Sequence, residues 1–148
     1  MVFLWRHKFL SLTVISLFFY WFYNPEGSFG IARKGFVVYN RIPVAFFDLY
    51  VNFSGIIVIE GDLRKSENVK YWYDKHLSGE KNIYKGDLTL LVGTGFDSTS
   101  FFKLEQEIFS NLRDRRIFVS QMSSPRAIEK YKEMKMEGRT VAVLLKVM

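Results

Sequence analysis

Residues 88–95 read Leu88-Thr89-Leu90-Leu91-Val92-Gly93-Thr94-Gly95, and the reading of the fold turns on them. Leu88 to Val92 is a continuous apolar run of strand length, the pattern of a central strand covered on both faces. Gly93-Thr94-Gly95 stops it. Ser98 or Thr99 then caps a helix running to about Arg115, in which Phe101, Leu104, Ile108 and Leu112 recur at spacings of three and four and give one apolar face. Ile117-Phe118-Val119-Ser120 is the next strand. Ser124-Pro125 opens a second helix, because Ser supplies a capping oxygen and Pro presets φ at the first turn. Ala127, Ile128, Tyr131 and Met134 form its buried stripe, and Gly138 ends it in the left-handed conformation. Thr140 to Lys146 is the last strand. Strand, helix, strand, helix, strand in direct succession implies parallel pairing through right-handed crossovers, hence an α/β fold.

Before this unit, residues 31–60 divide into three strand-like stretches, Ile31 to Tyr39, Ile42 to Val51 and Gly55 to Glu60, broken at Asn40-Arg41 and at Asn52 to Ser54. Pro43 fits only at a strand start or on an edge. Residues 61–87 are the polar middle, with 11 charged residues, and read as a long loop carrying a short helix from Ser66 to His76. The expected architecture is one compact domain with a mixed central sheet, an N-terminal strand segment followed by β-α-β-α-β.

Residues 1–23 hold 17 hydrophobic residues, nine of them aromatic, against 55 in the 125 that follow. The chain therefore divides into a hydrophobic leader, residues 1–24, and an α/β domain, residues 25–148. The uncharged run Phe9 to Tyr23 would rise about 22 Å as a helix, short of the ~30 Å hydrocarbon core of a bilayer. Arg6 and Lys8 could snorkel to a headgroup layer, and Trp5, Tyr20, Trp21 and Tyr23 are interfacial residue types. The leader reads as a membrane anchor or as an imperfect targeting peptide, since bulky Trp21-Phe22-Tyr23 makes a poor cleavage site, with a misassigned start or a helix packed on the domain as the remaining readings.

Chemistry is sparsely marked. The net charge of +6 comes from 21 basic and 15 acidic residues that are interleaved after Lys8, so nucleic-acid binding is permitted by the balance and not indicated by it. The chain has no cysteine, which excludes disulfides, thiolate catalysis and cysteine-held zinc or iron–sulfur clusters. Its two histidines, His7 and His76, stand alone, and no metal-ligand spacing, nucleophile elbow or paired carboxylates converge. No catalytic residue, metal or cofactor is expected.

Two weak binding candidates stand out. Gly93, Thr94, Gly95 and Ser98 occupy the carboxyl end of a strand before a helix, where open α/β sheets bind ligands and free amides hold anions. A third glycine and a Walker lysine are both missing, so a turn that needs glycine geometry competes with a small-ligand or nucleotide site. Tyr71, Trp72 and Tyr73, beside Lys70 and Lys75, are either a partner-binding patch or the pins of the polar loop.

The ordered stretch Leu88 to Gly95, Arg115-Arg116-Ile117-Phe118-Val119, Ser124-Pro125-Arg126-Ala127 with Tyr131, and Glu137-Gly138-Arg139-Thr140-Val141-Ala142 resembles one known family. It is similar to the family of the mitochondrial NADH dehydrogenase (ubiquinone) 1 alpha subcomplex assembly factor 3, with its prokaryotic and adipogenesis-associated relatives. The resemblance covers about residues 87–147. In the first half, either Gly35 to Asn40 or Tyr50 to Gly55 corresponds to a turn of that family, the two being alternative registers, and Trp72 corresponds to a tryptophan that follows. What the resemblance implies is a small α/β domain without established enzymatic activity. It further implies a role in assembling respiratory complex I at the mitochondrial inner membrane, with other assembly factors or subunits as partners. A cytoplasmic or otherwise membrane-anchored protein is the alternative localisation.

Overall fold

Strand β8 (Val141–Leu145) fills two cores at once: Val141, Val143 and Leu145 belong to one, Ala142 and Leu144 to the other. A strand with a side-chain period of two and no polar residue can only sit between two covered faces. The computed structural model describes residues 2–23, 27–63, 65–77, 88–97 and 104–147, apart from the side chains of residues 2–10 and 66.

β6 (Leu88–Gly93) pairs in parallel with β7 (Ile117–Met122) on one side and with β8 on the other. β4 (Asp48–Val51) runs antiparallel to β8, and β5 (Ile57–Glu60) antiparallel to β4. The order β5-β4-β8-β6-β7 makes the sheet mixed, as expected. On one face lie α2 (Ser66–His76), with Val69 and Trp72, and α3 (Gln106–Asp114), with Ile108 and Leu112. On the other, α4 (Ser124–Met136) contributes Ala127, Ile128, Tyr131 and Met134. A second antiparallel sheet, β1 (Phe29–Arg33), β2 (Phe36–Tyr39) and β3 (Ile42–Ala45), shares that face through Phe29, Val37, Tyr39 and Val44. Pro43 lies on the edge strand β3, where no ladder needs its missing N–H.

The three strands expected in residues 31–60 are five. Gly35, at φ +76°, turns the chain inside Ile31 to Tyr39, and Phe46, at φ +62°, breaks Ile42 to Val51 into β3 and β4. Phe46 earns no turn reading from its type, yet its ring packs over Gly35 and its N–H bonds the Gly35 carbonyl at 3.0 Å. The helix expected from Ser98 begins later. Residues 98–103, with Phe101, lie outside the described residues; Glu105 is extended and Leu104, though buried, donates its N–H to the Gln121 side chain at 3.4 Å instead of to a helical carbonyl. Helix α4 starts where expected, but Ser124 is not its cap. Ser123 holds the cap position, and the Ser124 hydroxyl has another task, described below. Gly138 closes the helix at φ +73°, with the Arg139 N–H bonded to the Met134 carbonyl.

Helix α1 (Val2–Tyr23) precedes the domain. It touches the small sheet at the β2–β3 turn: the Tyr20 hydroxyl donates to the Arg41 carbonyl at 2.8 Å, and the Arg41 guanidinium lies 3.9 Å from the Trp21 ring centre.

Candidate functional site

The carboxyl ends of the parallel strands bring Gly93, Thr94 and Gly95 against the start of α4. A Cβ on Gly93 would stand 2.6 Å from the Leu145 side chain and 2.9 Å from Ser124 Cα, so glycine is required for strand and helix to approach. The amides of this turn are engaged within the fold. Gly95 N–H donates to Ser124 Oγ at 3.1 Å, Ser124 Oγ donates to the Lys146 carbonyl at 2.8 Å, and Ser124 N–H bonds the Gly95 carbonyl at 2.8 Å. Thr94 gives both its N–H and its hydroxyl to the Met122 carbonyl. An anion at this turn would have to displace these bonds, so close packing accounts for the glycines without a ligand. Ser98 lies outside the described residues.

Beside the turn sits a buried ion cluster that sequence reasoning missed. Lys146 Nζ is 3.2 and 3.4 Å from the two carboxylate oxygens of Asp48 and 3.3 Å from Asp62 Oδ1. Asp48 and Lys146 are both fully buried. Asp48 also accepts the N–H groups of Leu63 and Val147, each at 2.8 Å. A buried charge survives only when paired and hydrogen-bonded, and Asp48 is held by four hydrogen bonds from three partners. The cluster fastens β4 to β8 and to the segment entering α2. Its signal was legible: one charge inside each of two otherwise apolar runs, Ala45 to Val51 and Val141 to Val147.

The aromatic triplet divides. Tyr71 is exposed, whereas Trp72 and Tyr73 are buried in the core between α2 and the sheet. Trp72 packs edge-on against Tyr50 at 5.3 Å, which suits a pin better than a partner patch. His76 hydrogen-bonds Glu60 at 2.8 Å, and Arg115 donates to the Leu77 carbonyl, so the carboxyl-terminal end of α2 is tied to the end of β5 and to the end of α3. Across the sheet the Tyr39 and Tyr131 hydroxyls share a buried hydrogen bond of 2.9 Å, with Phe29 edge-on to both rings. Burial raises the pKa of both tyrosines; their mutual hydrogen bond raises Tyr131 further and opposes the rise at Tyr39. Among the described residues no group of three or more potential ligands could hold a metal.

Helix α1 carries a continuous stretch of exposed apolar side chains. From Ser11 to Tyr23 every side chain but Tyr20 is exposed, including Leu17, Phe18, Phe19, Trp21 and Phe22. Successive residues turn by about 100°, so the apolar side chains cover about two thirds of the helix circumference, with Thr13, Ser16 and Tyr20 on the remainder. Among the described residues no helix is long and apolar enough to cross a membrane.

No family known from sequence matches the chain, and no curated protein does. Solved structures match it over most of its length. A hypothetical protein from Pyrococcus horikoshii OT3 is 20% identical with a TM-score of 0.59, the match covering 82% of this chain and 98% of that one. A Bartonella henselae structure described as an outer membrane protein gives 19% and 0.61, over 84% and 98%. A Bordetella pertussis protein described as a Mth938-like domain gives 17% and 0.57, over 81% and 85%. The fold is thus the α/β fold of Mth938-like domains. At these identities the likeness is one of fold.

Proposed function

We propose that this chain is a non-enzymatic assembly factor that works through protein contacts at a membrane, and that the complex it helps assemble is mitochondrial respiratory complex I. The observation that carries the membrane part of the reading is α1: an apolar helix fixed to the domain by Tyr20 and Trp21 yet left uncovered, on a domain whose strand-end turn is filled by its own groups. A surface of this kind calls for an occupant from outside the fold. The motif running from Leu88 to Ala142 supports the complex I assignment, and the Mth938-like fold is compatible with it. On this reading the protein resides at the inner membrane, and its partners are other assembly factors or subunits.

Cells lacking the protein test the reading directly. Native gels should show less mature complex I and accumulated subassemblies, restored by re-expression. Unchanged complex I would overturn the complex I assignment.

A further inference from the structure

We propose that α1 and the Asn40-Arg41 turn form a lipid-docking surface whose occupant is an anionic phospholipid leaflet. This deepens the membrane part of the reading above and rests on it, while standing apart from complex I.

The shape of the exposed surface selects the occupant. A helix that docks on a protein, or on a second copy of itself, buries a stripe and keeps a polar face toward water. Helix α1 has only a narrow polar stripe, Thr13, Ser16 and Tyr20 at spacings of three and four, and Tyr20 on that stripe meets the domain; Leu12, Val14, Ile15, Leu17, Phe18, Phe19 and Phe22 are all exposed over more than half of the circumference. An apolar medium covers so wide an arc. Charge selects the kind of lipid. Helix α1 contains Arg6 and Lys8 and no acid, and the first acid of the chain is Glu26, a pattern attracted by the negative potential of anionic headgroups. Length selects a single leaflet. The uncharged run Phe9 to Tyr23 reaches about 22 Å of the ~30 Å needed to cross. Cationic residues toward one end and Tyr20, Trp21 and Tyr23 at the other are both headgroup-level groups, so the ends lie at the surface and the middle is immersed.

The turn at the domain side is built for this placement. Asn40 and Arg41 both have positive φ, +48° and +65°, in a two-residue hairpin turn. The second position of such turns normally takes glycine, and an arginine there costs about 1 kcal/mol or more of backbone strain. Here Arg41 stacks on Trp21 and its carbonyl accepts the Tyr20 hydroxyl, while the Asn40 side chain accepts the Gly27 N–H at 2.8 Å. The strained turn thus holds both the end of α1 and the chain that leaves it. Ile42, which follows Arg41 in the chain, is also exposed and adds an apolar side chain at this turn. The domain is held against the leaflet by a fixed joint, with one basic residue at headgroup level.

Flotation of the full chain with vesicles of phosphatidylcholine and about one quarter phosphatidylglycerol tests the proposal. The chain should float with these vesicles, and float less at high salt or with pure phosphatidylcholine. Phe18→Asp/Phe22→Asp alters only exposed positions and should weaken partitioning by about a hundredfold or more. Arg41→Gly relieves the turn, so the fold survives by circular dichroism, and partitioning should fall about fivefold. Equal flotation of wild type and Phe18→Asp/Phe22→Asp, or none by either, would overturn the proposal. So would a concentration-dependent dimer in light scattering that this double variant abolishes while vesicles capture nothing, since the occupant would then be a second copy. Unchanged partitioning of Arg41→Gly would overturn the role of the turn. Because vesicle binding needs no complex I, loss of the complex I reading leaves this result standing, and the reverse also holds.

Discussion

Trp21 and Trp72 are one side chain in two opposite settings. Trp72 is fully buried beneath α2, edge-on to Tyr50, whereas Trp21 is 56% exposed on α1 and touches the domain through Arg41. The contrast extends to their surroundings. Around Trp72 the aromatics Tyr50 and Tyr73 are buried with it against the sheet, and on the opposite face the Tyr39 and Tyr131 hydroxyls pair with each other. Around Trp21 the aromatics stack only along their own helix, Phe18 on Phe22 and Phe19 on Tyr23. Hydrophobic content therefore measures two things in this chain: what the fold consumes, and what it presents. The first should respond to substitution as stability and the second as binding.

The largest effects should fall on the consumed side. Trp72→Ala opens a large cavity and Lys146→Met leaves the Asp48 carboxylate buried without its cation, so each should lower unfolding free energy by about 3–5 kcal/mol in urea denaturation. Trp72→Phe sharpens the point. Trp72 Nε1–H is buried with no hydrogen-bond partner among the described residues, so its removal offsets part of the lost volume and the cost should be only about 1 kcal/mol.

Next comes the tyrosine pair. Tyr131→Phe strands the Tyr39 hydroxyl in the core and should cost about 1–3 kcal/mol, while Tyr39→Phe/Tyr131→Phe together should cost less than Tyr131→Phe alone. The pair also sets an alkaline limit. Both pKa values are raised above the ordinary 10.0. Above that pH the unfolded chain releases protons that the folded chain retains, so stability is full below about pH 10 and falls as pH rises further. The double variant should flatten this slope in denaturation series between neutral and alkaline pH.

The smallest effect should be on α1. Phe22→Ser should change unfolding free energy by no more than about 0.5 kcal/mol. A large loss would show that α1 belongs to the core after all and would break the comparison.

What could be read from the sequence follows the distance over which each element is decided. Helix α4 and the strands around it were legible because Ser124 to Gly138 carries its own start, stripe and stop, and because Leu88 to Val92 shows its two-sided burial in its composition. Residues 29–60 were harder. The turn at Phe46 exists because Gly35, eleven positions earlier, receives its ring, and no local pattern announces a phenylalanine at positive φ. The Gly93 turn was legible as a requirement for glycine, but whether its amides were available depended on Ser124, 29 residues away from Gly95. The same holds for Asp48 and Lys146, 98 residues apart, where each charge could be noticed but not the pairing.

The place of β8 has a consequence for the order of events during synthesis. Of the described strands it is made after all the others, yet it lies between β4 and β6. Until Leu145 has been added, the growing chain holds two partial sheets, β5-β4 and β6-β7, each ending in an unpaired backbone edge facing the missing strand. Such edges invite wrong pairing with neighbouring chains. Loss of β8 would therefore remove a keystone and leave two sticky fragments, so chains truncated before Val141 should aggregate where chains that contain β8 fold.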